Sequence, residues 1–137
     1  MEFEKTFVML KPDCLQRGLA GEVLSRIEKK GYRISEAKTA KLSEEFLREH
    51  YAHLVGKPFF PQVIELMQAG PVLGMIICGE NAVSGMRKMA GATKIEDALP
   101  GTLRGDMALS TESNLIHCAE SAEIAKTEIE RFFGAKE

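Results

Sequence analysis

Apolar and polar residues follow one another in short blocks along the chain, and these blocks predict strands separated by helices. Compact apolar runs at residues 6–10 and 72–78 predict buried strands, because short apolar runs bounded by Gly or Pro are typical of strands. A weaker strand is predicted over residues 32–42, and a short one over residues 115–117. Pro12 ends the first run, since it restricts Lys11 to extended backbone.

Apolar residues at helical spacing predict helices over residues 21–30, 43–54, 59–69, 81–90 and 121–133. Gly31 and Gly91 follow two of these segments as expected C-terminal residues, whereas Ser43, Asn81 and Ser121 stand at N-cap positions. Residues 92–113 show weak periodicity, with one turn of helix at 96–99. A long irregular segment in a compact domain is usually functional or disordered.

This order of elements predicts a ferredoxin-like α+β sandwich, in which helices cover one face of a four-stranded antiparallel sheet. A doubly wound parallel sheet is the alternative. The chain contains no Walker-type phosphate loop, and no G-x-G-x-x-G motif follows a strand. With 137 residues, the expectation is a single domain over 1–137.

The composition narrows the functional classes. Hydrophobic content of 45% and charged content of 28% are typical of a globular protein, and a net charge of −2 gives no strong nucleic-acid signal. Cys14, Cys78 and Cys118 are odd in number and lack metal-ligand spacing, which favours a reducing cytoplasm. The start of the sequence lacks a signal peptide's apolar core, and no apolar run is long enough to span a membrane.

A histidine and a carboxylate near the end of the chain are the strongest chemical candidates. His117 ends the last predicted strand, and Glu128 lies in the middle of an apolar helix face between Ile124 and Phe132. A buried carboxylate needs a partner, and this one could return beneath the imidazole, fix its tautomer and leave the other nitrogen as a nucleophile. Alternatively, Glu128 reaches solvent from a wide helix face and His117 is an ordinary strand-end residue.

Other candidates each have an ordinary structural alternative. Lys11 projects from a strand end towards a phosphate or simply towards solvent, and it could form an anion clamp with Arg87, Thr93, Lys94 and Arg104. His50 and His53 have metal-ligand spacing but no evident third ligand, so surface histidines are favoured. Phe59 and Phe60 cannot face the same way. One ring packs in the core while the other is free to stack on a base, or both belong to the core and its rim.

Six collinear segments together match a known family: residues 6–13 (TFVMLKPD), 57–60 (KPFF), 69–72 (AGPV), 91–93 (GAT), 100–106 (PGTLRGD) and 114–117 (NLIH). The chain closely resembles a nucleoside diphosphate kinase over nearly all its length. The resemblance implies the ferredoxin-like fold and transfer of the γ-phosphate from a nucleoside triphosphate to a nucleoside diphosphate. It also implies ping-pong kinetics, Mg²⁺ carried mainly by the nucleotide phosphates, and homo-tetramers or homo-hexamers.

The same resemblance implies roles for individual residues. His117 would be the nucleophile through its δ nitrogen, Glu128 would orient its imidazole, and Lys11 would act at the same centre. Phe59 would stack on the base beside Val63. The remaining phosphate and ribose contacts would come from Tyr51, Arg87, Thr93, Arg104 and Asn114, together with Lys11.

The run after the histidine departs from the family pattern of Gly-Ser-Asp-Ser, since this chain has Cys118-Ala119-Glu120-Ser121. Ala119 cannot make the family serine's hydrogen bond, which predicts a rate lower by up to roughly tenfold. Glu120 keeps a negative charge that reaches Mg²⁺ through water, and Cys118 is expected to be a buried, inert thiol. Ile95 replaces a common proline, which could alter subunit contacts. A module that binds nucleotides with little catalysis remains the second hypothesis.

Overall fold

The computed structural model describes residues 3–134, and its centre is a four-stranded antiparallel sheet in the order β2-β3-β1-β4. The strands are β1 (Phe3–Leu10), β2 (Arg33–Ala40), β3 (Val72–Glu80) and β4 (Ile116–Cys118). β1 pairs with β3 on one side and with β4 on the other, where Met9 lies opposite His117. This topology confirms the predicted ferredoxin-like α+β fold and excludes the parallel alternative.

Seven helices connect or flank these strands within the described part of the chain. They are α1 (Pro12–Gln16), α2 (Ala20–Lys30), α3 (Glu44–His50), α4 (Phe60–Met67), α5 (Ala82–Ala90), α6 (Leu103–Met107) and α7 (Ala122–Phe133). The helix predicted over 43–54 ends at His50, and a separate 3-10 turn covers Ala52–Leu54. A second 3-10 turn, Ile95–Asp97, lies at the predicted turn of helix.

The helix ends follow the predicted chemistry with one exception. The hydroxyls of Ser43 and Ser121 accept hydrogen bonds from the backbone nitrogens three residues later, and Gly31 has left-handed backbone. Asn81 occupies the N-cap position of α5 as predicted, but its backbone is left-handed and its side chain makes no capping bond. The Glu4 carboxylate of β1 accepts the Val83 N–H instead, which satisfies one free donor of α5.

Helices cover both faces of the sheet, so the predicted coverage of one face was wrong. Adjacent residues of β1 point to opposite faces, and Phe7, Val8, Met9 and Leu10 are all fully buried. Phe7 and Met9 pack with residues of α3, α4 and α7, whereas Val8 and Leu10 pack with residues of α2, α5 and α6. The compact apolar run of β1 reflects this two-sided burial. No helix within residues 3–134 has the length and hydropathy needed to cross a bilayer.

Candidate active site

His117 lies in the middle of β4 and is held by one carboxylate. Its Nε2 is 2.9 Å from Glu128 Oε2 and 3.0 Å from Oε1, while its side chain is 19% exposed. Because an ionised carboxylate can only accept, Nε2 carries a proton, and the neutral ring then has its lone pair on Nδ1. Within residues 3–134, Nδ1 has no protein hydrogen-bond partner. The histidine is therefore set in the tautomer that leaves Nδ1 available as a nucleophile.

Glu128 reaches His117 because α7 starts only a few residues after β4 and packs back across β1. Glu128 is buried beside Ala125, Ile129 and Phe132, which places it on the inward face of the helix. A carboxylate in such surroundings is stable only with a close partner, and His117 is that partner. The alternative in which Glu128 reaches solvent was wrong, because its side chain is only 7% exposed.

The backbone before β4 is strained and is held by β1 and α1. Leu115 has a φ of 76°, although it is a large residue without glycine's freedom, and strain of this kind costs about 1–3 kcal/mol. Its N–H donates to Asp13 Oδ2 at 3.1 Å, and its carbonyl accepts from the Lys11 N–H at 2.8 Å. Lys11 Nζ also donates to Asn114 Oδ1 at 2.7 Å. These bonds fix the strand that carries His117 beside the Lys11 ammonium.

Arg104 is both structural and available to a ligand. Its guanidinium is buried and donates to the carbonyls of Asn114 (3.3 Å), Gly91 (2.8 Å) and Ile116 (2.6 Å). A guanidinium has five N–H donors, so these three bonds leave donors for an anion. Burial, followed by the nearby Arg87, lowers the pKa of Arg104 below its ordinary value. The more exposed Arg87 donates to the Cys118 carbonyl at 3.2 Å.

The two adjacent phenylalanines separate as one of the alternatives predicted. Phe60 begins α4 and is buried in the core, whereas Phe59 stands just before it with 48% of its surface exposed. Val63, one helical turn further on, is half-buried against the same core. Tyr51 is buried, and its hydroxyl has only a weak sulfur contact with Met67 at 3.9 Å.

One cavity of about 1120 Å³ brings the candidate residues together. Its lining combines apolar side chains and an exposed phenylalanine ring with basic side chains and the imidazole of His117. The candidates that line it are Lys11, Tyr51, Phe59, Val63, Arg87, Thr93, Arg104, Asn114, His117, Glu120 and Glu128. Lys94, which was considered for the clamp, does not line this cavity. A cavity with these features suits a ligand that has an aromatic ring at one end and phosphates at the other.

The comparisons with known proteins agree with this geometry. A sequence model described as nucleoside diphosphate kinase matches residues 4–137. The chain belongs to the nucleoside diphosphate kinase family. Among curated relatives, the nucleoside diphosphate kinase of Caldanaerobacter subterraneus subsp. tengcongensis is 52% identical, over 95% of this chain and 94% of its own. A nucleoside diphosphate kinase of Thermus thermophilus is 47% identical, over 98% of each chain.

Solved structures of this family share the fold. The nucleoside diphosphate kinase of Halobacterium salinarum, solved in complex with CDP, superposes with a TM-score of 0.93. It is 40% identical, and the match covers 98% of this chain and 90% of that one. The apo enzyme of Encephalitozoon cuniculi also gives a TM-score of 0.93 at 40% identity, over 96% of this chain and 90% of its own.

Three residues at which the chain departs from the pattern implied by the resemblance, Cys118, Ala119 and Glu120, follow the histidine directly in the sequence. Cys118 is buried as predicted, and burial raises the pKa of its thiol to about 12. Ala119 is fully buried and supplies only a methyl group. Glu120 is exposed at the cavity wall, where its carboxylate is free to meet solvent or a hydrated cation.

His50 is a site residue that the sequence analysis misplaced. The histidines of α3 and its following turn were expected at the surface, which was wrong for His50, whose side chain is fully buried. His53 is exposed as expected. Arg131, which contacts His50, was missed because α3 and α7 are far apart in sequence and only tertiary packing joins them. The apolar face of α3 around Leu47 was the one available signal that a neighbouring histidine faces inward.

Proposed function

We propose that this chain transfers the γ-phosphoryl group of a nucleoside triphosphate to a nucleoside diphosphate through a phosphohistidine at His117. The observation that carries the proposal is the Glu128 carboxylate 2.9 Å from Nε2, which leaves Nδ1 as the nucleophile in a cavity lined with basic side chains. The family membership supports the same activity. A module that only bound nucleotides would need neither a nucleophile nor the buried carboxylate that orients it.

The reaction proceeds in two half-reactions at one site. In the first, a bond forms between His117 Nδ1 and the γ-phosphorus, the bond from that phosphorus to the β–γ bridging oxygen breaks, and the nucleoside diphosphate leaves. Positive charge develops on the imidazole, and the Glu128 carboxylate stabilises it through the Nε2–H. In the second half-reaction, an oxygen of another nucleoside diphosphate takes the phosphoryl group from Nδ1. Alternating substrates give ping-pong kinetics.

The cavity residues divide the work of binding between phosphate and base. Phosphoryl transfer needs positioning and positive charge around the moving group, and Lys11, Arg87 and Arg104 supply that charge. Tyr51, Thr93 and Asn114 add polar groups for phosphate and ribose. The exposed ring of Phe59, with Val63 beside it, stacks on the base without reading its edge, so the site accepts many bases.

Mg²⁺ fits this donor set as a companion of the nucleotide. Mg²⁺ usually keeps several waters and binds substrate phosphates with one or two carboxylates. Glu128 is engaged with His117, whereas the exposed Glu120 remains for a contact through water. When bound, Mg²⁺ neutralises the phosphate charge that develops during transfer.

We also propose how the chain assembles and where it acts. The family resemblance suggests a homo-tetramer or homo-hexamer. The three cysteines are unpaired and buried, which supports a reducing cytoplasm.

The direct test is transfer of label. Purified protein with Mg²⁺ and γ-labelled ATP should acquire an acid-labile, base-stable adduct, and unlabelled GDP should then remove the label as GTP. His117→Ala should abolish both steps while the fold is kept, whereas the control Lys126→Ala, on the exposed side of α7 outside the cavity, should retain them. Binding of ATP by wild-type protein without uptake of label would instead support the binding-module hypothesis.

A further inference from the structure

A second histidine lies directly behind the proposed nucleophile. His50 is fully buried at the end of α3, and its ring centroid is 4.5 Å from that of His117. Phe46 stacks on one side of the ring at 5.7 Å, and Tyr51 meets it edge-on at 4.7 Å. This packing leaves the imidazole little rotational freedom. The ring therefore holds its nitrogens in fixed directions.

The structure determines which nitrogen of His50 carries the proton. Arg131 Nη1 lies 3.2 Å from His50 Nδ1. A guanidinium can only donate hydrogen bonds, so Nδ1 must be the acceptor and a neutral ring must carry its proton on Nε2. Nε2 is buried, has no hydrogen-bond partner within residues 3–134, and lies 3.9 Å from Glu128 Oε2.

Glu128 needs a second contact that the rest of its surroundings does not supply. His117 Nε2 occupies both of its oxygens, at 2.9 and 3.0 Å, and no other hydrogen-bond donor reaches it from the described residues. The neighbouring Ala119 offers only a methyl group. A carboxylate whose two oxygens both accept from one N–H can still rotate about that N–H. The Nε2–H of His50 is the donor placed to stop this motion.

We propose that His50, with its tautomer fixed by Arg131, is a positioning residue that holds the Glu128 carboxylate beneath His117. The inference rests on the proposed transfer through His117. At 3.9 Å the His50–Glu128 contact is longer than a hydrogen bond, and a shift of about 1 Å makes it one. Catalytic hydrogen bonds are often long in an empty site and shorten when the substrate is bound.

A neutral donor is the appropriate group at this position. Burial, followed by the charges of His117 and Arg131, lowers the pKa of His50 to about 2, so the ring stays neutral in the working range of the enzyme. A cation there would compete with His117 for the negative charge of Glu128. A neutral N–H fixes the carboxylate and leaves its charge to the imidazole that becomes phosphorylated.

The cluster of His50, His117 and Glu128 also has the residue types of a metal site, since its ligand atoms lie within 4.8 Å of one another. A metal would require the lone pair of His50 Nε2. The Arg131 donor occupies Nδ1 and thereby keeps the proton on Nε2. The tautomer of His50 in solution consequently distinguishes a positioning residue from a metal ligand.

The experiment combines histidine NMR with kinetics on the full chain. Wild-type protein labelled with ¹⁵N in its histidines should show His50 as the neutral Nε2–H tautomer. His50→Leu removes the donor at similar size, and His50→Gln places an amide donor near the Nε2 position. Arg131→Met removes the group that fixes the tautomer, and Lys126→Met removes the same charge from an exposed position of α7 as the matched control.

His50→Leu should lower kcat by about tenfold with KM changed less than about twofold, since a positioning contact acts on the transition state. His50→Gln should recover at least half of kcat. Arg131→Met should lower kcat about threefold and give mixed His50 tautomers, whereas Lys126→Met should change neither. Thermal unfolding identifies the folded variants. If His50→Leu does not fold, the separate variants Arg131→Met and His50→Gln still test whether His50 positions Glu128.

Two results would overturn the proposal. The first is a proton on Nδ1 of His50 in the wild-type protein. The second is a folded His50→Leu variant, which lacks the donor, with the wild-type kcat and an unchanged NMR spectrum of His117. Zinc inhibition accompanied by loss of the His50 Nε2 proton would favour the metal site and also count against it. If wild-type protein forms no phosphohistidine, the proposed function fails. The tautomers of His50 and His117, measured in the same samples, then still show whether His50 positions the Glu128 carboxylate beneath His117.

Discussion

At the scale of single residues, the charge on Glu128 should matter more than its shape. Glu128→Gln keeps an oxygen that can accept from His117 Nε2 but removes the charge that stabilises a developing imidazolium. A bond to a charged group is stronger than a neutral one by about 1–2 kcal/mol, so kcat should fall about fivefold to thirtyfold. Steady-state kinetics would measure this, with Glu130→Gln on the exposed side of α7 as the control. An unchanged kcat would mean that Glu128 contributes by packing alone.

Lys11 should make nucleotide capture sensitive to pH. Burial, followed by the positive charge of Arg104, lowers the pKa of Lys11 to about 8. As the pH rises through 8, the free enzyme loses this ammonium, so kcat/KM should fall. The thiols of Cys14 and Cys118 do not titrate near pH 8 and so do not contribute to this fall in kcat/KM. Burial raises the pKa of Cys14 to about 11 and that of Cys118 to about 12.

The same shift has the opposite effect on folding. Between pH 8 and the ordinary lysine pKa of 10.5, the unfolded chain binds the Lys11 proton more than the folded chain does, so the Lys11 contribution to stability rises with pH. Lys11→Met should show a lower kcat/KM with no break near pH 8, and a weaker rise in unfolding free energy over this window. A wild-type kcat/KM that stays flat to pH 10 would contradict the prediction.

At the scale of elements, the sequence predicted the long helices better than the short ones. The longer helices carry an apolar period that the sequence displays, and Ser121 and Gly31 mark ends that local chemistry explains. α1 and α6, with five residues each, were missed because so short a helix shows no period. α6 depends on the Thr102 hydroxyl, which accepts the Gly105 N–H. Its residue Arg104 also anchors it on distant carbonyls. Such contacts exist only after folding.

The close approach of α7 to the sheet depends on Gly74 in β3. A Cβ at this position would lie 2.4 Å from the ring of Phe132, one turn after Glu128 on α7. Gly74→Ala should therefore destabilise the fold by about 1–3 kcal/mol and lower kcat by displacing Glu128. Gly21→Ala in the first turn of α2 meets nothing within 4 Å and should stabilise by about 0.5–1 kcal/mol. Urea unfolding would show the opposite signs, and equal midpoints would disprove the tight packing of α7.

At the scale of the whole molecule, the apolar pattern predicted the sheet, whereas the distant residues that meet around the cavity were predicted only through the family resemblance, and His50 was not among them. His117 and Glu128 were linked by spacing along one stretch of chain, whereas His50 joins them only because α3 and α7 pack on the same face of the sheet. The two-sided burial of β1 was missed for a related reason. An apolar run predicts that its residues are buried but does not predict which elements cover them.

Two exposed leucines are the candidates for a subunit contact in the proposed assembly. Leu99 and Leu109 are 70% and 72% exposed in the irregular segment before β4, and neither lines the cavity. A subunit contact through this segment would remove both apolar side chains from water. If this segment joins subunits, Leu99→Ser combined with Leu109→Ser should convert the proposed tetramer or hexamer into smaller species. Size-exclusion chromatography with light scattering would measure this, with Val55→Ser, at another exposed apolar position, as the control. An unchanged mass for the double variant would place the interface elsewhere, whereas a smaller species that retains phosphohistidine formation would show that each chain carries a complete site.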